Sequence, residues 1–455
     1  MHSTTRCAVI GAGIAGLTCA YELKRGGLSV DVYERESTIG GRMGTRCKQH
    51  LAFDVGANFL VRAYTSLLQL ADELGVAVRC ASPVQQVVYR DGRFHRMNMS
   101  SVRDVLRLQG VRFWSRLELM AYVLRLRLKH PRALNFFDLS STPEELNHED
   151  AYSYARREIS QEFADYIVDA FHSCMMFSRS TEASAAAFVA LLSMMIDRDF
   201  DFSILHTVGD MQAIPDAIAR QVPVNTGCAV TGLEPDAGGW KVHTAGSSQL
   251  YQHVILATTA GAAHSLLSRG PAAARALTCA TRYAATINVS FRVPRNALGR
   301  VHCFYIPYVE NQVVSEFTNE SLKGETTTHE GWSLINVGLH ESAARELGDS
   351  SDGKVFELVR KELVLLEPGL HLAEPYDIQR WPEAIPKYDC AQVARVRSFE
   401  EAGQGERGLY LCGDYLNAPW IEGASRSGRK VAGSILQSGQ SSDTGERNRG
   451  IRPDA

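Results

Sequence analysis

Residues 7–46, CAVIGAGIAGLTCAYELKRGGLSVDVYERESTIGGRMGTR, place glycine at each joint of a strand, a helix and a second strand. The apolar run at 6–10 reads as a short buried strand, 14–25 as a helix and 29–34 as the next strand, which together make a β-α-β unit. The GAGIAG turn is too tight for large side chains. Gly11 allows the bend, Gly13 lets the backbone approach a ligand closely, and Gly16 lets the helix pack on the strand. The helix start at Ile14 and Ala15 offers free N–H groups to a diphosphate. Glu34, followed by Arg35, ends the second strand where an acid bonds ribose hydroxyls. This spacing commits the N-terminal region to an α/β layer with a dinucleotide at its edge.

The rest of the chain bounds the alternatives. Its 455 residues, 45% hydrophobic and 22% charged, suffice for two or three domains with a sizeable core. A formal net charge of −3 gives no general attraction to nucleic acid or acidic lipid. Ten cysteines are scattered without a Cys-x-x-Cys pair, so neither a zinc site nor a disulfide framework is expected, and no metal. The first residues lack a signal-peptide pattern, and no apolar run reaches the roughly 20 residues of a membrane span. The expected location is the cytoplasm.

Further along, FDVGANFL (53–60) reads as a strand ending at glycine, 62–76 and 100–200 as mostly helical, and 209–220 as a helix. Short strands are expected over 222–259 and longer ones over 281–338. A helix follows at 353–366, then a strand-to-helix unit at 408–436. The polar tail from 438 is expected to be disordered.

Five ordered segments carry a family resemblance. ERESTIGGRMGTR places Gly40-Gly41-Arg42 after the acid of the second strand. FDVGAN supplies Gly56, Ala57 and Asn58, and GDMQAIPDAIA a helix. VPVNTGCAVTGLE, with Val230, precedes HVILATT, which contains Ala257. GLYLCGDYLNAPWIEGASRSGRKVAGSIL brings Gly413, Asp414, Glu422, Gly423 and Ala424. In this order they resemble the superfamily of flavin-containing amine oxidases, protoporphyrinogen oxidases and phytoene desaturases. The resemblance implies non-covalent FAD, a Rossmann-like FAD-binding α/β domain and an interleaved α+β substrate domain with an antiparallel sheet and a helical cap. The expected division is 1–75, 205–275 and 395–437 for FAD, and 76–204 and 276–394 for substrate. In such proteins Arg42 meets phosphate charge, the backbone at Val230 reads adenine, Gly413 and Asp414 approach the pyrophosphate and ribityl chain, and Glu422-Gly423-Ala424 begins the helix beneath the flavin ring. No second glycine fingerprint is present for a nicotinamide.

The same resemblance implies hydride transfer from a substrate C–H to flavin N5, with oxygen or another acceptor reoxidising the flavin. Asn288 aligns with a lysine that amine oxidases often carry on their long central strand, which counts against a standard amine oxidase. Trp420 occupies the family's aromatic position on the substrate side, and Trp381 or Tyr388 is expected to supply the opposite wall. Trp381, Ala384, Ile385, Pro386 and Tyr388 resemble a segment of protoporphyrinogen oxidases, and GDYLNAPWIEGASRSG one of desaturases. The reading favoured is dehydrogenation of a bulky hydrophobic or aromatic molecule. A flavin amine oxidase acting on a C–N bond is the alternative. A non-catalytic carrier like the Rab GDP-dissociation inhibitors is the alternative of another class.

Other features read more plainly. Pro382 and Pro386 suggest a rigid turn. Met175, Met176, Phe177, Phe188, Met194 and Met195 read as core. His172 and His206 read as packed histidines. Cys390 lacks the glycines of a covalent flavin site. In 113–132, Leu117, Met120, Ala121, Leu124 and Leu128 share a helical face among basic residues. A substrate-lobe helix with a solvated basic face is preferred to contact with a membrane surface.

Overall fold

Five apolar segments from the whole length of the chain hydrogen-bond side by side in the computed structural model. The structure describes residues 5–80, 85–97, 102–130, 132, 134–197, 201, 203–323, 325–416 and 418–447. Strands Val224–Asn225, Ser29–Tyr33, Arg6–Ile10, His253–Leu256 and Leu409–Leu411 lie in that order, all parallel. Such strands are covered on both faces, which is why they read as short continuous apolar runs. Arg6–Ile10 is central; the chain passes from it to Ser29–Tyr33 on one side and later adds His253–Leu256 on the other. The crevice at its C-terminal end is therefore a topological switch point, where open α/β sheets take ligands.

Helix Ile14–Arg25 lies against the last helix, Trp420–Arg447. The approach is close enough that a Cβ on Gly428 would sit 2.4 Å from the Ala15 carbonyl oxygen. One core contains Leu17, Cys19 and Leu23 from the first of these helices and Val431, Ala432 and Ile435 from the second.

The second large sheet orders Glu374–Pro386, Tyr283–Pro294, Trp332–Leu339, Val314–Asn319, Val301–Tyr305, Gln85–Arg90 and Arg93–Arg96. Its pairs are antiparallel except for Val301–Tyr305 beside Gln85–Arg90. Side chains alternate across a strand. Ile287, Val289, Phe291, Phe304, Phe317, Ile335 and Val337 point to one face, where Val355, Val359 and Leu363 of helix Asp352–Leu366 cover them. Their sequence neighbours point to the other face. Helices Phe113–Lys129, Ala151–Glu158, Asp169–Met176 and Ala185–Met195 share a core that also takes in Val88, Cys303 and Tyr305 of that face.

Four details differ from the sequence reading. FDVGANFL is two strands, Leu51–Asp54 and Leu60–Val61, separated because the backbone at Gly56 passes against Arg42; Ala57 N–H donates to the Arg42 carbonyl at 2.8 Å. The Trp-Pro-Glu-Ala-Ile-Pro segment belongs to the strand Glu374–Pro386 rather than a turn. That strand is at the sheet's edge, where a proline's missing N–H costs little. A bulge absorbs residues 382–384, since Thr286 pairs with Trp381 and Ala284 with Ile385. In helix Phe113–Lys129 the buried face is Ser115, Leu119, Tyr122 and Leu126, while Leu124 and Leu128 are exposed. The last helix runs on to Arg447, into the stretch read as a tail; residues 448–455 lie outside the described residues. Among the described residues no helix is long and apolar enough to cross a membrane.

Candidate active site

A cavity of about 1230 Å³ runs from the C-terminal ends of the central parallel strands to the face of the second sheet opposite helix Asp352–Leu366. At the first end the backbone leaves room by geometry. Gly11 has φ +107°, and a Cβ there would lie 2.7 Å from the Ala257 carbonyl oxygen. A Cβ on Gly16 would lie 2.1 Å from the Gly11 oxygen. The helix starting at Ile14 has no side-chain cap, so its first amides stay available to a ligand. The Glu34 carboxylate accepts from Ala12 N–H at 2.8 Å and Glu36 N–H at 3.0 Å, which holds it beside the turn.

The second glycine pair is tied to the first turn, because Gly40 N–H donates to the Ala12 oxygen at 2.9 Å. Gly40 and Gly41 both have positive φ, a conformation that glycine adopts without strain. The bend delivers Arg42 to Asp414, and two N–H···O bonds of 2.7 and 2.9 Å join them. Asp414 is buried and Arg42 half-buried. This fork-shaped pair links residues 372 positions apart, so both chain ends meet at one place.

Most residues singled out from the sequence line the cavity. They are Gly11, Gly13, Ile14, Ala15, Glu34, Arg35, Gly40, Gly41, Arg42, Gly56, Ala57, Asn58, Val230, Ala257, Asn288, Gly413, Asp414, Trp420 and Ala424. Four are elsewhere. Gly16 is a packing contact. Glu422 is fully buried and accepts from Ser66 and Leu67 N–H at 2.9 and 3.0 Å, in the first turn of helix Thr65–Glu73, and from Arg426. Gly423 lies against the Ala418 carbonyl, with no space for a Cβ. Tyr388 donates its hydroxyl to the Asp414 carbonyl and lines a separate apolar cavity of about 70 Å³ with Phe136, Leu191 and His172.

Trp420 is held at φ +73°, a strained backbone for a bulky residue and a common mark of a functional position. Its indole N–H donates to the Met175 carbonyl at 3.0 Å, and its ring packs against Tyr64, Phe136 and Phe137. Trp381 donates to the Val55 carbonyl at 2.6 Å. With Phe59, Tyr64, Met175 and Phe177 these rings give the cavity aromatic and apolar walls.

The floor is different and, apart from Asn288, was missed from the sequence. Across the second sheet, register places Gln379, Asn288, Gly338, Glu316 and Tyr305 in one row. Ser290, Asn336, Thr318, Cys303 and Gln86 form the next. All but Gly338 and Ser290 line the cavity. The expected greasy chamber thus has a polar base. The one available signal was an acid inside an apolar strand, VVSEFTN.

Burial sets the ionisation of this end. Burial pushes the Glu316 carboxyl up to about 8, with Glu320 adding to the rise and Lys323 opposing it. His302 is held down to about 3 and His206 to about 2, by burial first and Lys323 next. Both imidazoles are therefore neutral. Lys323 itself bridges Asp54 and Glu320. The Cys174 and Cys303 sulfurs are 3.8 Å apart beside Glu316. Burial holds the Cys174 thiol well above its ordinary range, and a protonated thiol is a poor metal ligand.

The family described as flavin containing amine oxidoreductase matches residues 14–436. The chain belongs to that family. Membership makes it a flavin-dependent oxidoreductase with FAD as cofactor, and the glycine cradle, the uncapped helix start and the acid at Glu34 fit that molecule's diphosphate and ribose. The mitochondrial protoporphyrinogen oxidase of Nicotiana tabacum is 28% identical over 172 residues, 37% of this chain and 32% of that protein. A putative flavin-containing monoamine oxidase, AofH, of Mycobacterium tuberculosis is 38% identical over 90 residues, 20% of this chain and 18% of that one. The chain thus aligns with about a third or less of these curated relatives. Among solved structures, cyclohexylamine oxidase from Brevibacterium oxydans superposes with a TM-score of 0.75 at 17% identity, over 96% of this chain and 100% of that chain. A putative protoporphyrinogen oxidase from Exiguobacterium gives 0.75 at 14% identity, over 96% and 99%. These likenesses establish the fold.

Proposed function

We propose that this protein dehydrogenates a bulky, ring-bearing organic molecule by hydride transfer to FAD. The observation that carries this reading is that a single cavity is lined both by the glycine turn at Gly11 and by Trp381 and Trp420. We assign 1–75, 205–275 and 395–437 to the FAD-binding unit, because they supply the parallel sheet, and 76–204 and 276–394 to the substrate unit. FAD, when bound, supplies the hydride-accepting ring, and an acceptor such as oxygen restores it.

The chain's own residues do the rest. Gly11, Gly13, Ile14 and Ala15 hold the diphosphate, Glu34 the ribose, and the backbone at Val230 the adenine. Arg42 and Asp414 clamp the two chain ends around the cofactor. Trp420 and Trp381 orient a flat substrate and keep water away from the reacting carbon. No side chain in this scheme has to take the substrate's proton at the outset. Oxidation at a C–N bond is the second reading. Glu316 on the floor favours it, while the absence of lysine among the described cavity-lining residues counts against a standard amine oxidase.

Purified protein should be yellow, release FAD on denaturation and lose its flavin absorption without air when offered a substrate of this class. Protein that refolds well but takes up no FAD would overturn the reading and favour a carrier.

A further inference from the structure

A helix of the cap and a strand of the sheet meet at sulfur beside the chamber. Helix Asp169–Met176 contributes Cys174 and strand Val301–Tyr305 contributes Cys303. The two sulfurs are 3.8 Å apart although the residues are separated by 129 positions. Both residues line the large cavity, and both belong to the core that joins the cap helices to the sheet. The helix already packs on the strand, so a sulfur–sulfur bond of about 2 Å asks for a side-chain rotation and a small approach, not a rearrangement. The same turn of helix reaches the aromatic wall. Met175, the next residue, offers the carbonyl that accepts the Trp420 indole N–H at 3.0 Å. Just upstream the helix is wound as a π-turn over Ala164–Val168, an irregularity frequent at functional positions. A covalent tie at Cys174 would therefore fix floor and wall together.

Burial holds the Cys174 thiol well above its ordinary range. The thiolate is the reactive form, so the pair resists a dilute oxidant in bulk solution. It answers to a small neutral oxidant held at high local concentration inside the chamber. Hydrogen peroxide is such a molecule, and it is what oxygen becomes when it takes two electrons from a reduced flavin.

We propose that Cys174 and Cys303 are a redox pair, converted to a disulfide by hydrogen peroxide that is released in the chamber when oxygen reoxidises the flavin. The proposal rests on the reading of this cavity as the flavin chamber with oxygen as acceptor. The chemistry balances in two steps. One thiol sulfur attacks a peroxide oxygen; the S–O bond forms, the O–O bond breaks, and the departing hydroxide leaves as water with the thiol proton. The second sulfur attacks the resulting sulfenic sulfur; the S–S bond forms, the S–O bond breaks, and a second water leaves with the second proton. Two thiols lose two electrons, and the peroxide gains them.

The test uses the FAD-loaded full chain, first reduced with dithiothreitol and then freed of it. One arm adds hydrogen peroxide. The other makes it in place, by cycles of flavin photoreduction with EDTA and reoxidation in air, with catalase in the solution to destroy whatever escapes. In both arms peptide mass spectrometry should find Cys174 joined to Cys303, with a loss of about 2 Da that dithiothreitol reverses. Cys47, Cys80 and Cys279 are exposed, and the peptide map keeps their products apart from this link. The oxidised protein should unfold at a higher temperature than the reduced one, because the link closes a long loop. C174S and C303S should show neither the link nor the rise; should they fail to fold, the wild-type map alone decides. No Cys174–Cys303 link in either arm overturns the proposal, and so does a link formed with added peroxide alone. A photoreduced flavin that stays reduced in air overturns it through the source of oxidant. Stoichiometric zinc held by both sulfurs in the purified protein overturns it as well. Absence of FAD would instead strike the function proposed above.

Discussion

The glycine-rich end of the cavity and its sheet floor are built by opposite means. At the first, the backbone does the work. Gly11, Gly40 and Gly41 adopt positive φ, and the crowded positions Gly16 and Gly56 admit no Cβ. At the second the backbone is a regular antiparallel ladder, and side chains alone, projected by strand alternation, decide what the surface presents. A backbone-built site tolerates almost no substitution at its glycines. A side-chain-built one changes its chemistry by single replacements without disturbing the sheet, so one family can keep a cofactor and vary what it oxidises.

The largest expected effect breaks the comparison if it fails to appear. Gly16→Val drives a branched side chain into the Gly11 carbonyl and should cost about 3 kcal/mol or more, seen as loss of soluble, flavin-containing protein. A yellow G16V of normal thermal stability would show that the first helix retreats freely and that the turn is not rigid.

Comparable in size is the effect of breaking the clamp. Arg42→Ala leaves the Asp414 carboxylate, 4% exposed, without its partner. Such an unpaired buried charge costs roughly 3–5 kcal/mol. The expected outcome is a lower unfolding temperature and weaker FAD retention in dialysis. Arg42→Lys keeps the charge but not the two-pronged geometry, and should recover only part of the loss.

The floor gives a pH signature. The folded Glu316 carboxyl titrates near 8, against an ordinary value of 4.5, so the folded state binds its proton more tightly than the unfolded chain. Its stabilising contribution is complete below about pH 4.5 and is lost as pH rises through about 8, amounting to a few kcal/mol, ~5 at most. Urea unfolding of wild type and E316Q across that range should show wild type losing ground steadily to the variant. The neutral histidines contribute equally to both proteins and cancel. Parallel curves would mean that the floor is wetter than its burial implies.

The smallest effect concerns a residue the sequence placed beneath the cofactor. Glu422→Gln weakens the acceptor for Ser66 and Leu67 N–H and should lower stability by about 1–3 kcal/mol. The flavin spectrum should not change, because the side chain lies outside the cavity. A shifted spectrum would return Glu422 to the site.

These cases also explain what was legible. The first β-α-β unit could be read because its glycines, its helix start and Glu34 are close in sequence and each has a geometric reason to be there. The convergence of Arg42 with Asp414 was not visible as a pair; only the family resemblance placed both ends near one molecule. The bonds of the Glu422 carboxylate to Ser66 and Leu67 N–H were not legible either, since a motif names a position but not which neighbour a carboxylate will bond. The polar rows were hidden because each holds one residue from each of five strands, and their alignment is set by the register. Tyr388 and the Pro382–Pro386 stretch show a third limit. A bulge in an edge strand turned an expected bend into a ladder and left Tyr388 behind the wall rather than on it.

The order of the parallel sheet has a consequence for how this protein comes into being. Strand Leu409–Leu411 closes one side of the sheet beside His253–Leu256, and the carboxylate that Arg42 needs follows it by three residues. During synthesis the glycine turn and Arg42 emerge before Asp414, 372 positions further on, and must wait for it. The nascent chain can neither seal nor load its nucleotide groove until the residues on both sides of that span have been made, so cofactor capture follows synthesis of the segment bearing Asp414 rather than that of the glycine turn.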